Sequence, residues 1–238
     1  ENGYKPDHAE LYKLFEQADL VFVGSPNNPT GILYEPQELL QMADWAAETG
    51  TWLVVDEAFL DFVAEERQFT LASRLESFPW VILMRSMTKM YAIPGLRLGY
   101  AIAHPDVIAN MRQKQVSWSV NALALLAGEL CLMEQEYERK TRSLIAEERA
   151  KLLDFVGKEL GWQVWPGEAN FLLVRSPGEL PAAQLQEWLG KKGVLIRNCA
   201  MYPGLIAHDV RIAVRGSAEN ARLMAVLREV RDERGGKR

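Results

Sequence analysis

Three short apolar runs, in which polar residues do not alternate with apolar ones, constrain the fold of this chain more than any other feature. They are LVFVGS from Leu20, WLVVDEAF from Trp52 and WVILMRS from Trp80. Continuous apolar runs of this length are typical of strands buried on both faces, as in a parallel sheet. Their spacing of roughly thirty residues matches a repeated β-α-β unit. A fourth run, LGYAIA from Leu98, predicts a further strand.

The segments between and after these runs have helical patterns. YEPQELLQMADWAAETG carries Pro36 near its start and Gly50 at its end, which predicts a helix between them. VNALALLAGELCLM predicts a buried apolar helix, and EYERKTRSLIAEERAKLLDFVGKELG an amphipathic one. The predicted fold class is α/β: a mostly parallel sheet with flanking helices over 1–140, followed by a smaller α+β domain over 141–238.

Charge and cysteine content exclude several function classes. The net charge is −5, and no basic run occurs, which argues against nucleic acid and anionic membranes as partners. No apolar stretch reaches the ~20 residues that a membrane helix needs. The two cysteines, Cys131 and Cys199, fit neither a zinc spacing nor a disulfide framework. We therefore expect no metal and a reducing, cytoplasmic location.

Polar residues follow the apolar runs at the points where the predicted strands end. SPNNPTG follows the first run, Asp56 ends the second, and Ser86 and Lys89 follow the third. In parallel α/β sheets ligands bind beyond the carboxyl ends of the strands, so these groups are expected at one edge. Asp56 follows three apolar residues and is expected to be poorly hydrated, with a partner for its charge. Taken singly, a strand-end aspartate is commonly a cap or ion-pair member, and a lone lysine is commonly a surface residue.

One alternative interpretation of LVVDEA is a Walker B strand, whose acidic residues serve Mg²⁺ in an ATPase. That function also requires a GxxxxGK[ST] loop, and the sequence contains none.

The motifs taken together resemble another family. SPNNPTG, VVDEAF and SMTK, with Arg97 eight residues after the lysine, are similar to fold-type I pyridoxal-phosphate enzymes, the aspartate aminotransferase superfamily. The resemblance extends over nearly the whole chain, with the motifs in the family's order. It implies pyridoxal 5′-phosphate as cofactor and a homodimer as the assembled form.

The resemblance assigns a role to each residue at the strand ends. Lys89 would bond to the cofactor aldehyde and later move protons at the substrate α-carbon. Ser86 and Arg97 would bind the cofactor phosphate. Asp56 would keep the pyridine nitrogen protonated, and Asn28 would donate to the ring oxygen.

Two further details come from the same comparison. A cis peptide bond often precedes the proline of NPTG in this family, so Asn28–Pro29 is a candidate. Many relatives carry a tyrosine three residues after the aspartate, where this chain has Phe59.

The substrate is expected to carry two anionic ends. The family's carboxylate-binding arginine corresponds to Arg211 in VRIAVR, and Arg215 would share its strand face if the strand continued. At ~3.3 Å per residue the two would lie about 13 Å apart. The alternative for Arg215 is a solvated cation at the end of the strand. Asn170 is a further candidate for substrate contact, although an asparagine that opens a strand is more often a cap or turn residue.

Two subfamilies fit such a substrate: threonine-phosphate decarboxylases of cobalamin synthesis and histidinol-phosphate aminotransferases. DEAF, TK followed by PGLRLGY, IRNC and RIAVR favour the decarboxylase, which would convert L-threonine O-3-phosphate to aminopropanol phosphate. The aminotransferase stays as the alternative. A third possibility is the aminotransferase-like domain of a transcription regulator, which those same details disfavour.

Family members extend further on the N-terminal side than this sequence does. We therefore expect residues 1–140 to be the C-terminal part of the large cofactor-binding domain, with a free sheet edge. Taken alone, this piece of the family fold could be inactive.

Overall fold

The structure is a computed structural model that describes residues 4–235. It divides into two compact units. Unit 1 comprises Glu1–Asn28 and Ile32–Arg142, and unit 2 comprises Pro29–Gly31 and Ser143–Arg238. Apart from the segment Pro29–Gly31, the chain passes from unit 1 to unit 2 between Arg142 and Ser143.

Unit 1 is built on a four-stranded sheet. Its strands are β1 (Leu20–Gly24), β2 (Trp52–Asp56), β3 (Val81–Ser86) and β4 (Gly99–Ala103), which lie in the order β1-β2-β3-β4. The first three are mutually parallel, and β4 is antiparallel to β3. The prediction of a mostly parallel sheet is confirmed, and LGYAIA forms the expected fourth strand.

Helices follow the strands of unit 1. They are α1 (His8–Gln17), α2 (Pro36–Thr49), the single turn α3 (Met87–Met90), α4 (Pro105–Lys114), α5 (Ala122–Cys131) and α6 (Gln135–Asp154), the last of which crosses into unit 2. Short 3₁₀ turns lie at Leu60–Phe62, Glu66–Phe69, Ala72–Arg74 and Pro94–Leu96.

The predicted limits of α2 are confirmed by its caps. Glu35 and Glu38 form a reciprocal capping box at the first turn, and Pro36 is the first helical residue. Gly50 ends the helix in the left-handed conformation with φ 71°, which a residue with a Cβ adopts only with strain.

The core of unit 1 lies between the sheet and helices α1 and α2. Its buried members include Phe15, Leu39, Met42, Ala46, Leu53, Val55 and Leu83. On β1 only alternate residues are buried, since Leu20 is 41% exposed and Phe22 67%. The prediction that this run is buried on both faces is therefore wrong. β1 is an edge strand of the described sheet, and α1 and α2 pack on one of its faces.

The prediction of a buried α5 is also wrong. Within the helix Ala124 and Gly128 are buried. All four leucines are more than half exposed, namely Leu123, Leu125, Leu126 and Leu130. This small-residue stripe packs against the rest of unit 1, where Leu98 and Met87 approach Gly128. We term these four leucines the apolar face of α5, and the described residues cover less than half of each.

Unit 2 is the smaller α+β unit that the sequence predicts. Its strands are β5 (Gln163–Trp165), β6 (Phe171–Arg175), β7 (Arg197–Asn198) and β8 (Asp209–Ala213), paired antiparallel in the order β5-β6-β8-β7. Its helices are the C-terminal part of α6, a π-helical turn (Phe155–Glu159), α7 (Ala182–Lys191) and α8 (Ser217–Gly235). Across residues 4–235, no helix has both the length and the apolar character that crossing a bilayer requires.

Candidate functional site

The carboxyl ends of β1, β2 and β3 bring polar residues to one edge of the unit 1 sheet. Asp56 is the last residue of β2 and pairs in register with Gly24 of β1 and Met84 of β3. Ser86 is the last residue of β3, and Lys89 follows it within α3. Parallel pairing therefore places these ends side by side, as the sequence predicts.

The amine of Lys89 lies among groups that set its charge. Its Nζ donates to Ser86 Oγ at 3.0 Å and lies 5.3 Å from the ring centroid of Phe59. Burial lowers the pKa of the Lys89 amine below its ordinary value. The carboxylate of Asp56 opposes this shift, while the Arg97 cation lowers the pKa further. Lys89, Asp56 and Arg97 therefore interact through their charges.

Arg97 has an unusual backbone for its residue type. It follows the 3₁₀ turn Pro94–Leu96 and adopts the left-handed conformation with φ 55°, and its Nη1 donates to the Pro94 carbonyl at 3.3 Å. Such a conformation costs a non-glycine residue about 1 kcal/mol or more, and it is often found at functional positions. The Arg97 side chain is exposed.

The expectation that Asp56 is poorly hydrated is wrong. Its side chain is exposed at the open edge of the sheet, where Oδ1 accepts from the Ala58 amide at 3.0 Å. The buried carboxylate is the next residue, Glu57, which is fully buried. The Glu57 amide donates to the Met84 carbonyl, which continues the strand pairing by one residue. Because successive side chains of a strand project to opposite faces, the Glu57 side chain lies on the face opposite to that of Asp56.

Glu57 belongs to a buried charged cluster that sequence reasoning missed. Arg85 Nε donates to Glu57 Oε2 at 2.6 Å, and Arg85 Nη1 donates to Asp61 Oδ1 at 2.8 Å. Thr70 Oγ1 donates to Glu57 Oε1 at 2.7 Å. Burial, the largest cause, raises the pKa of Glu57 and raises that of Asp61 to about 6. The signal in the sequence was an arginine and a glutamate next to the two strand-end site residues.

Hydrogen bonds within the loop that follows β1 hold its conformation. Asn27 N donates to the Ile32 carbonyl at 2.7 Å, and Tyr34 N donates to the buried Ser25 Oγ at 3.2 Å. Asn28, the predicted ring-oxygen donor, is exposed. The cis peptide bond is Ser25–Pro26, so the prediction of a cis Asn28–Pro29 bond is wrong.

In unit 2 the predicted arginines occupy different environments. Arg211 lies on β8, half-buried, with its guanidinium carbon 4.8 Å from the ring centroid of Phe171. The strand ends at Ala213, so Arg215 does not share a strand face with Arg211 as expected. Asn170 immediately precedes β6, and its carbonyl accepts from the Val214 amide at 2.8 Å.

Sequence reasoning overlooked a second arginine beside Arg211. Arg197 of β7 is the register partner of Arg211 across the sheet. Directly opposed residues of antiparallel strands project to the same face, so two cations lie together on this sheet. The clue was the IRNC motif itself, which was used only to separate subfamilies.

The donor set of unit 1 fits a phosphorylated pyridine. Ser86, Lys89 and Arg97 are the kinds of group that bind a phosphate, and Asp56 is the kind that holds a proton on a ring nitrogen. A metal would need a different set. Among described residues no three His, Cys, Asp or Glu side chains are arranged to hold one.

Comparison with known proteins agrees with this chemistry. Threonine-phosphate decarboxylase of Salmonella typhimurium is 42% identical over 96% of this chain and 62% of that protein. Histidinol-phosphate aminotransferase of Symbiobacterium thermophilum is 34% identical over 89% of this chain and 56% of its own length. The chain thus spans less than two thirds of either relative.

A solved structure shares the fold. The histidinol-phosphate aminotransferase of Clostridium acetobutylicum superposes with a TM-score of 0.92 at 26% identity, covering 98% of this chain and 70% of that one. The family described as aminotransferase class I and II matches residues 1–227. Because that match extends over most of the sequence, the chain is a member of the aminotransferase class I and II family.

Proposed function

We propose that the protein is a pyridoxal-phosphate-dependent decarboxylase of L-threonine O-3-phosphate, with aminopropanol phosphate as product. The observation that carries this proposal is the 42% identity to threonine-phosphate decarboxylase over 96% of the chain. The DEAF, PGLRLGY, IRNC and RIAVR motifs favour the same subfamily. Cobalamin synthesis is the pathway in which that activity would serve.

The alternative function is transfer of the amino group of histidinol phosphate. The relative from Symbiobacterium thermophilum, at 34% identity, supports it. Both reactions take a phosphorylated amino compound. They differ in which bond at the substrate α-carbon breaks, the bond to the carboxylate carbon or the bond to hydrogen, and the residues that orient the substrate would set that choice.

Most of the site residues of unit 1 would bind the cofactor, and Lys89 would transfer the proton. When bound, pyridoxal phosphate supplies a π system that accepts the electron pair left on the α-carbon. Ser86 and Arg97 would bind its phosphate, and Asp56 would hold a proton on the ring nitrogen. Asn28 would donate to the ring oxygen. In the decarboxylation, the bond between the α-carbon and the carboxylate carbon breaks and CO₂ leaves. Lys89 would then deliver a proton to the α-carbon.

The properties of Lys89 suit proton transfer. Because burial lowers the pKa of its amine, more of the neutral form exists near neutral pH than for an exposed lysine. Asp56 opposes this shift, because its carboxylate stabilises the charged amine.

Unit 2 would supply the cations for the substrate. Arg211 is proposed to bind one anionic end, supported by its half-buried place on β8. Arg197, on the same face, and Arg215, beyond the strand, are both available for the other end. Asn170 remains a proposed substrate contact.

The assembled protein is proposed to be a cytoplasmic homodimer, as the family resemblance implies. Both cysteines are free thiols, which fits a reducing compartment.

A covalent trapping experiment tests the cofactor role. The protein is incubated with pyridoxal phosphate, reduced with borohydride, digested and analysed by mass spectrometry. We expect the tag on the peptide that contains Lys89, and its loss in Lys89→Arg. A tag confined to other lysines would overturn the assignment.

A second assay separates the two activities. Threonine phosphate is supplied with cofactor but without a keto-acid acceptor, and CO₂ is measured. Release of CO₂ supports the decarboxylase. Amino transfer from histidinol phosphate that requires an acceptor, without CO₂ release, supports the alternative instead.

A further inference from the structure

Arg215 combines a locked backbone with a free side chain. The Arg215 amide donates to Asn220 Oδ1 at 3.0 Å, and the Arg215 carbonyl accepts from Asn220 Nδ2 at 2.8 Å. One side-chain amide therefore binds both polar groups of one residue's backbone, as a neighbouring strand would. This contact lies just after the end of β8, where the sheet no longer supplies a partner.

Asn220 is itself fixed from behind. It is 1% exposed, and its Nδ2 also donates to Glu148 Oε2 at 2.8 Å. Glu148 lies on α6, is 2% exposed, and accepts from Lys151 Nζ at 2.6 Å through its other oxygen. Both hydrogens and the oxygen of the Asn220 amide are thus used, which leaves the amide one orientation.

The Arg215 side chain, unlike its backbone, has no hydrogen-bond partner among the described residues. Its side chain is exposed, and within the described part of the chain no hydrogen bond or ion pair involves it. Three other arginines of unit 2 pair with carboxylates: Arg149 with Glu168, Arg175 with Asp209, and Arg228 with Glu159. The buried Asn220 and Glu148 side chains therefore fix the backbone of an arginine whose charge stays accessible to an anion from solvent.

We propose that Arg215 is a preorganised anion-binding residue and that Asn220 and Glu148 are its positioning residues. With the backbone fixed, only the side-chain torsions must be ordered when an anion binds, so less conformational entropy is lost. The anion class is a phosphate or carboxylate, which the guanidinium fork matches. The assignment of that anion to a phosphorylated substrate rests on the proposed function; the positioning of Arg215 does not.

The test follows the Arg215 Nε–H signal by NMR while inorganic phosphate is titrated into the protein. In the wild type the signal is expected to shift with saturation. In Asn220→Ala the half-saturation concentration should rise about threefold to tenfold, because a mobile backbone must be ordered on binding. Glu148→Gln, which keeps the size of the side chain, should give a smaller rise in the same direction. It also serves if Asn220→Ala does not fold.

Arg222→Ala is the matched control, since Arg222 lies on α8 like Asn220 but donates to the Lys192 carbonyl and not to the Arg215 backbone. It should leave the Arg215 titration unchanged. If phosphate leaves the Arg215 signal unmoved, or if Asn220→Ala and Glu148→Gln lower the melting temperature without weakening phosphate binding, the proposal is overturned. Phosphate binding at Arg215 without turnover of threonine phosphate would sink the proposed function and leave this inference standing.

Discussion

Replacing Arg85 with methionine would leave the buried carboxylate of Glu57 and the partly buried carboxylate of Asp61 without the cation that pairs with both. Glu57 is fully buried, and the side chain of Asp61 is 19% exposed, so neither can regain full hydration. Removing one member of a buried ion pair costs about 3–5 kcal/mol. Because Thr70 still donates to Glu57 and Asp61 is partly hydrated, we expect the lower end of that range, about 3 kcal/mol near neutral pH.

The cost should depend on pH, because the carboxyl groups can take up protons. The pKa of Asp61 is raised from 3.8 to about 6 in the folded protein. Between these values the folded chain binds more protons than the unfolded chain. Its free energy of unfolding therefore falls as pH rises through the window. Without Arg85 the pKa values of Asp61 and Glu57 should rise further, so the loss should shrink to roughly 1 kcal/mol near pH 5.

Urea unfolding followed by tryptophan fluorescence, at about pH 5 and about pH 7.5, measures this difference. The matched control is Arg139→Met. Arg139 pairs with Glu136 but is 70% exposed, and its loss should leave the free energy of unfolding nearly unchanged at either pH. Adding Glu57→Leu to Arg85→Met should recover part of the lost stability, because the double variant no longer buries the unpaired carboxylate of Glu57. An equal loss at both pH values, or a loss as small as the control's, would refute the reasoning.

Two further predictions concern the charge at Lys89 and the end of α2. Asp56→Asn should lower the pKa of the Lys89 amine and Arg97→Met should raise it, since the carboxylate stabilises the ammonium and the guanidinium destabilises it. NMR titration of reductively methylated protein measures both, and shifts of the opposite sign would contradict the interaction. Gly50→Ala should cost about 1 kcal/mol by thermal unfolding, because φ is 71° while no atom lies closer than 4.0 Å to the new Cβ. Gly190→Ala, in open space on α7, should instead stabilise the protein by up to about 1 kcal/mol.

The sequence was most informative where a local signal decides the structure. Pro36 and Gly50 marked the limits of α2 because helix caps act within a few residues. The strands were predictable because a continuous apolar run is also a local signal. Their polar ends meet at one edge of the sheet because parallel strands point in the same direction. The roles assigned to Lys89 and Asp56 remain predictions that the trapping and titration experiments address.

The failures concern which elements pack together. Four leucines on α5 suggested burial, yet composition does not reveal whether a neighbouring element covers a helix. The exposure of Phe22 was not predicted for the same reason, since the apolar run of β1 does not show that only one face of the strand is covered. Asp56 and Glu57 were distinguishable in principle, because adjacent strand residues face opposite sides. Choosing the buried one required Arg85 as its partner, and that pairing joins residues 28 apart in sequence.

The leucines of the apolar face of α5 have a practical consequence for handling the protein. They lie on the same unit as β4, whose outer edge has no partner strand among the described residues. Water-exposed hydrocarbon near free backbone donors and acceptors favours association as protein concentration rises. Unfolding and binding experiments should therefore be repeated across a dilution series, because the reversible transitions of isolated molecules do not shift with concentration, whereas those of associating molecules do.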